Sequence, residues 1–305
     1  MAKWTASEIP SQQGRMAVVT GTGGLGFEDA LALARAGADV IVAGRSAEKG
    51  AAALARIRDQ VPGANIGFEQ IDLADLRSVE TFAARLRSRH DSLDLLINNA
   101  GVMVPPTRQE TADGFEMQFG TNYLGHFALT AHLLPLLRKG QAPRVISLSS
   151  VAARQGRIDL DDLQSTNYAP MKAYSQSKLA CLMFAFELQH RNDVGGWGIA
   201  SIAAHPGISR TDLLHNGPGR NSPIGLVRSA FGFLFQPAAQ GALPTLYAAT
   251  APDARPGAYY GPDRLGETRG YPALSKVPAP ANDRAVSERL WQVSEQLAAI
   301  SFPAG

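Results

Sequence analysis

Short apolar runs alternate with longer helical ones along most of this chain. Met16–Thr20, Asp39–Ala43, Asn65–Ile71, Leu93–Ile97, Arg144–Leu148, Gly198–Ala204 and Ala258–Tyr260 are brief and largely apolar, as strands buried in a sheet are. Between them Glu28–Ala36, Asp75–Arg89, Thr121–Leu137, Ala238–Ala249 and Arg284–Ala298 read as helices. So does the stretch after Met171, where Leu179, Leu182, Met183 and Phe186 recur at helical spacing. Strands that alternate with helices predict an α/β protein built on a doubly wound, parallel, seven-stranded sheet. No internal repeat, low-complexity tract or linker interrupts the pattern, so residues 1–305 are expected to form a single domain. Two stretches depart from it. Residues 212–236 are irregular and then strongly apolar from Ile224 to Phe235, and Gly261–Ala281 is rich in Gly and Pro and reads as loop within a C-terminal extension, 261–305.

Composition narrows the function classes. An apolar fraction of 45% and a charged fraction of 18% belong to a globular protein with a substantial core. A net charge of +2 gives no reason to expect nucleic acid or an anionic membrane as partner. The single cysteine, Cys181, falls among core-type helix residues and excludes an internal disulfide. No run is long enough to span a bilayer, and the first residues carry no apolar signal core, so a cytoplasmic protein is the expectation. The six histidines form no pair at ligand spacing, and no metal site is expected.

The first strand runs into Gly21-Thr22-Gly23-Gly24-Leu25-Gly26 and then a helix and second strand. That βαβ context gives the glycines a physical role. They let the backbone approach a pyrophosphate, and the helix N-terminus offers it unpaired N–H groups. A Rossmann fold follows. At the end of the second strand, Gly44 stands where a carboxylate would hold the ribose hydroxyls of NAD, and Arg45 follows it. A guanidinium there suits a 2′-phosphate, so NADP(H) is the expected cofactor, with NAD as the alternative.

Tyr174 and Lys178 are four residues apart on a helix and share one face. A phenol is a poor base near neutrality, and a neighbouring cation favours its phenolate and brings it into the range of general acid–base work. Ser150, just past the fifth strand, offers a hydroxyl that can orient a carbonyl oxygen toward that phenol.

The glycine turn, Asn98-Asn99-Ala100-Gly101, Asn122, Ser150, Tyr174 with Lys178, and His205-Pro206-Gly207 occur in order across nearly the whole chain. Together they resemble the short-chain dehydrogenase/reductase family. Within it the chain is similar to retinol-dehydrogenase-like and protochlorophyllide-reductase-like members, the former also through Tyr259-Tyr260-Gly261-Pro262 and Arg269-Gly270-Tyr271-Pro272. The glycine turn departs from the family pattern T-G-x-x-x-G-x-G by being one residue shorter.

The resemblance implies a catalytic set of Asn122, Ser150, Tyr174 and Lys178. Tyr174 is the proton donor, Ser150 holds the carbonyl oxygen, Lys178 supports the tyrosine and the nicotinamide ribose, and the Asn122 carbonyl holds a relay water. It also implies that Asp72 and Leu73 meet the adenine, that Asn99, Ala100 and Gly101 flank the cofactor, and that Pro206, Gly207 and Thr211 lie beside the nicotinamide. Ile224–Phe235 would then be a lid over an apolar substrate. The expected reaction interconverts a small-molecule ketone or aldehyde with an alcohol, in a protein of this family's dimeric or tetrameric habit. A nicotinamide-sensing protein without turnover and a C=C reductase are the competing readings.

Overall fold

A computed structural model of the chain describes residues 3–209 and 236–303. Its centre is one eight-stranded sheet: β1 Met16–Thr20, β2 Asp39–Gly44, β3 Ile66–Gln70, β4 Leu95–Asn98, β5 Arg144–Leu148, β6 Ala200–Ala204, β7 Tyr259–Arg264 and β8 Arg269–Leu274. The order is β3-β2-β1-β4-β5-β6-β7-β8, and every neighbouring pair is parallel except β7 with β8. The strand order reverses direction between β1 and β4, and in open α/β sheets ligands bind at the carboxyl ends of the strands beside such a switch.

Alternation along β1 shows how two cores are made. Ala17 and Val19 face one side and pack with α1 (Gly24–Arg35), α2 (Ala47–Gln60) and α6 (Leu243–Thr250). Val18 faces the other and packs with α3 (Leu76–Arg89), α4 (Gly125–Leu137), α5 (Pro170–Gly195) and α7 (Arg284–Leu297). Helices on both faces explain why the strands are apolar throughout rather than alternating with polar residues.

The expectation of seven strands is corrected by one. Residues 261–281 contain β8, which runs antiparallel to β7 with Tyr260 opposite Leu274. Gly270 and Pro272 hide it in the sequence. Proline is tolerated there because, among the described residues, β8 is the edge strand of the sheet, with no further strand asking for its N–H groups. The C-terminal extension is likewise part of the core. Trp291 of α7 packs against Phe127, Phe184 and Phe302 at ring-centroid distances of 5.0, 5.8 and 4.5 Å. Truncating such a buried aromatic costs about 3–5 kcal/mol.

Candidate active site

Helix α5 carries the centre of the site. Pro170 occupies its first turn and Gly196, at φ 60°, ends it. Both of its catalytic candidates are buried, Tyr174 and Lys178 each 5% exposed. The Lys178 ammonium donates to the Leu148 carbonyl at 3.1 Å, and the Ser149 hydroxyl donates to the Lys178 carbonyl at 2.7 Å. The end of β5 and the middle of α5 are thus tied from both directions. Ser150 caps the short 3₁₀ turn Val151–Gln155, its oxygen accepting the Ala152 N–H at 3.2 Å. That leaves the hydroxyl proton free to donate.

Asn122 does not open a regular helix. It sits in a π-helical stretch, Phe119–Leu124, immediately before α4, and such wide turns are rare and gather at functional sites. Its side chain accepts from Val102 N–H at 2.7 Å, and donates to the Val102 carbonyl at 3.0 Å and to Ser177 Oγ at 2.9 Å. The loop after β4 is thereby fastened to α5. Gly101 must be glycine for this: a Cβ there would stand 2.9 Å from Asn122 Oδ1 and 3.6 Å from Lys178 Nζ.

The backbone carbonyl of Asn122 accepts from His126 Nδ1 at 2.9 Å and from Cys181 Sγ at 3.2 Å. A water reaching this carbonyl would compete with the thiol, the weaker of the two donors. Burial raises the Cys181 pKa, against the opposing charge of Lys178, so its proton stays on sulfur.

His126, which carries no motif in the sequence, is drawn into the same network. It is buried in α4, and its other nitrogen, Nε2, lies 2.9 Å from Thr20 Oγ1 at the end of β1. Thr20 Oγ1 also accepts the N–H groups of Asn99 at 2.9 Å and Ala100 at 3.0 Å. Since Nδ1 must donate to the Asn122 carbonyl, the neutral ring has Nε2 as an acceptor, and it shares the one Thr20 hydroxyl proton with the Ile97 carbonyl 3.2 Å away. A proton on Nε2 would face an oxygen whose lone pairs are already used. Burial pushes the His126 pKa down to about 4, the Asn122 hydrogen bond opposing and the charge of Lys178 adding to the fall. One neutral imidazole therefore joins the glycine turn, the Asn99–Gly101 loop and the Asn122 carbonyl.

The glycine turn itself is tight. Helix α1 begins at Gly24, one turn earlier than the sequence suggests, with Gly23 as a cap that has no side chain and no acidic residue in the first turn. The first-turn N–H groups of Gly24, Leu25 and Gly26 have no carbonyl within their own helix. Asn99 Nδ2 donates to the Thr20 carbonyl at 2.6 Å and fills the space where Cβ atoms on Gly21 and Gly26 would stand, at 2.7 and 2.6 Å. Gly21 holds φ 103°. This glycine-walled helix end fits a pyrophosphate.

Around the end of β2 the residues are more exposed. A Cβ on Gly44 would come within 2.9 Å of Thr22 Cγ2, so any side chain there displaces a residue of the shortened turn. The Arg45 side chain is exposed and enters none of the ion pairs among the described residues. Asp72 is not the cap of α3, a part that Asp75 takes by accepting from Arg77 and Ser78 N–H groups. Asp72 instead accepts the Ala74 N–H at 3.0 Å, and the buried Leu73 lies against Gly125 at the start of α4.

In the loop after β6, Gly207 takes φ 64° with the Thr268 carbonyl where its Cβ would be. The Pro206 carbonyl accepts from Ser209 Oγ at 2.8 Å and from Gln236 Nε2 at 2.6 Å. Thr211 and the expected lid, Ile224–Phe235, lie outside the described residues.

A dinucleotide cradle at a sheet switch point, next to a buried tyrosine and lysine, defines a nicotinamide-dependent oxidoreductase. Comparison with known proteins narrows the class. The short chain dehydrogenase family matches residues 15–218. Retinol dehydrogenase 13 of Homo sapiens is 39% identical over 314 residues, covering 98% of this chain and 90% of that protein. A crystal structure of an uncharacterized protein from Mycobacterium Paratuberculosis superposes with TM-score 0.82 at 40% identity, over 99% of this chain and 100% of the other. The Pseudomonas aeruginosa RhlG/NADP active-site complex superposes with TM-score 0.65 at 25% identity, over 82% and 94%. The chain belongs to the short chain dehydrogenase family. Among its described residues, no helix is long and apolar enough to cross a membrane.

Proposed function

We propose that the protein is an NADP(H)-dependent enzyme interconverting an apolar ketone or aldehyde with its alcohol, and that Tyr174 is its general acid and base. The observation that carries this reading is the burial of Tyr174 and Lys178 on one face of α5 beside Ser150. Bound at the glycine turn, the cofactor supplies or receives the hydride. In the reductive direction the Ser150 hydroxyl donates a hydrogen bond to the carbonyl oxygen and orients it. The Tyr174 hydroxyl gives that oxygen its proton. The Lys178 ammonium stabilises the phenolate left behind and bonds the nicotinamide ribose. Asn122, braced by Val102 and Ser177, holds the relay water at its carbonyl when the Cys181 thiol yields that lone pair. Asn99, Ala100 and Gly101 flank the cofactor, Asp72 and Leu73 meet its adenine, and Arg45 pairs with its 2′-phosphate.

The name of the human relative and the RhlG/NADP complex support the substrate class and the cofactor. The reading is tested with a panel of aliphatic, aryl and polyene carbonyls and NADPH deuterated at the nicotinamide C4. Deuterium on the carbinol carbon of the product is expected. Deuterium on a carbon of a former C=C bond would make the protein an alkene reductase, and no transfer to any substrate would leave a binding protein.

A further inference from the structure

One charged cluster at the site has no part in the chemistry above. It is centred on Glu267, in the turn between β7 and β8. Three successive residues there hold left-handed backbone, Leu265 at φ 49°, Gly266 at 66° and Glu267 at 66°. Two of the three carry side chains for which that conformation is unfavourable, so the surrounding contacts must hold it. The Glu267 carboxylate supplies them. Its Oε2 lies 2.6 Å from Arg154 Nη2 and 3.2 Å from His205 Nε2, and its Oε1 accepts the Lys276 N–H at 3.0 Å. Arg154 adds a bond to the Gly266 carbonyl at 3.0 Å.

The partners come from separate parts of the site. Arg154 belongs to the turn that Ser150 caps, four residues further on. His205 follows β6 and opens the Pro206–Gly207 loop, and its side chain is 1% exposed. Its Nδ1 accepts the Gly207 N–H at 3.2 Å, so the neutral ring carries its proton on Nε2 and donates toward Glu267 and Ser275 Oγ, the latter at 2.9 Å. The Ile208 N–H donates to the Thr268 carbonyl at 2.7 Å, one residue beyond Glu267. Burial pushes the Glu267 carboxyl up, but hydrogen bonds from His205 and the Lys276 N–H and the charge of Arg154 outweigh it and hold it at about 2. An isolated exposed ion pair contributes little. A carboxylate that satisfies donors from three chain segments fixes their mutual position.

We propose that Glu267 is a positioning residue: with Arg154 and His205 it clamps the Ser150 turn and the Pro206–Gly207 loop at a fixed separation. The inference rests on the carbonyl–alcohol reading, in which Ser150 holds the carbonyl and residues 206–207 flank the nicotinamide. A displacement of about 1 Å at such a site costs ~10²-fold in rate.

Hydrogen–deuterium exchange and steady-state kinetics on the full chain test it, comparing Glu267→Gln, Glu267→Asp, Arg154→Met and the double variant Arg154→Met/Glu267→Gln. In Glu267→Gln, without substrate, peptides covering 150–156 and 204–209 should together exchange roughly tenfold faster while α5 and β1 keep their protection. The kcat should fall about 10- to 100-fold with the KM for NADPH nearly unchanged. Glu267→Asp should recover part of the loss, and the double variant should be no slower than Glu267→Gln. The clamp is overturned if either segment keeps wild-type protection, if exchange rises across the whole chain, or if the two substitutions act additively. Were the wild type to turn over no carbonyl or alcohol, the reaction reading would fall, and the exchange comparison would still decide the clamp.

Discussion

The two ends of the cofactor cleft are built on opposite plans. At the chemical end, Tyr174, Lys178, Asn122 and His126 are buried, and each polar contact there is directional. At the adenosine end, Arg45 is exposed and free of ion pairs among the described residues, and Asp72 is only partly buried. Under the proposed function the contrast follows from what each end must do. Moving a proton requires groups held to a fraction of an ångström and shielded from competing water. Choosing between two dinucleotides requires one charge that meets a phosphate. Loss at the chemical end should therefore cost rate, and loss at the adenosine end should cost only preference.

The sharpest test of that division is Tyr174→Phe. It should reduce turnover by ~10²–10⁴-fold, the usual span for a general acid–base group, while NADPH affinity and melting temperature stay near wild type. Turnover within a few-fold of wild type at saturating NADPH would erase the distinction between the ends.

His126 extends the comparison to acid stability. Its folded pKa lies below the free value of 6.5, at about 4, so the unfolded chain binds the proton more readily. Its contribution is complete above pH 6.5 and is lost as pH falls toward 4. The integrated loss is about 3 kcal/mol. Guanidinium unfolding between pH 7 and 4 should show it, and His126→Asn should flatten that part of the profile. The carboxyl of Glu267, held low instead, acts in a separate window between 4.5 and about 2. Equal pH slopes in wild type and His126→Asn would show that the ring is not kept neutral.

Arg45→Ala comes next in size. A charge-assisted contact is worth roughly 1.5–3 kcal/mol, so the preference for NADPH over NADH should fall at least about tenfold. Little change is expected in kcat with NADH. A wild type that already prefers NADH would mean that the short turn, through Thr22 on Gly44, decides cofactor choice instead. The smallest effect is expected from Asp72→Ala, which removes the proposed partner of the adenine amino group and should raise the KM for both cofactors only a few-fold. A large loss there would place the adenosine end under the same exacting plan as the chemical one.

The sequence exposed what depends on neighbours in the chain and concealed what depends on distant ones. Strands β1 to β6, the glycine turn and the Tyr174–Lys178 spacing are local signals, and each stands where its pattern puts it within a few residues. Strand β8 was concealed because Gly270 and Pro272 contradict strand propensity, and only its edge position tolerates them. His126 looked ordinary because its partner Thr20 is 106 residues away. Glu267 in a Gly-containing turn gave no sign of Arg154 or His205, which lie more than 60 residues upstream. The π-helical turn at Asn122 likewise has no periodicity of its own to read.

The pairing of β7 against β6 also bears on how the protein is made. A ribosome adds about 5–20 residues per second, so roughly 3–12 s separate the emergence of Ala204, the end of β6, from that of Arg264, the end of β7. Through that interval the nascent chain holds a nearly complete parallel sheet whose β6 edge, buried in the finished protein, has no partner. An apolar edge of that kind pairs with whatever strand it meets. A transcript truncated before Tyr259 should therefore yield aggregates rather than a smaller folded protein, and folding factors that shield strand edges should be most needed in those last seconds of synthesis.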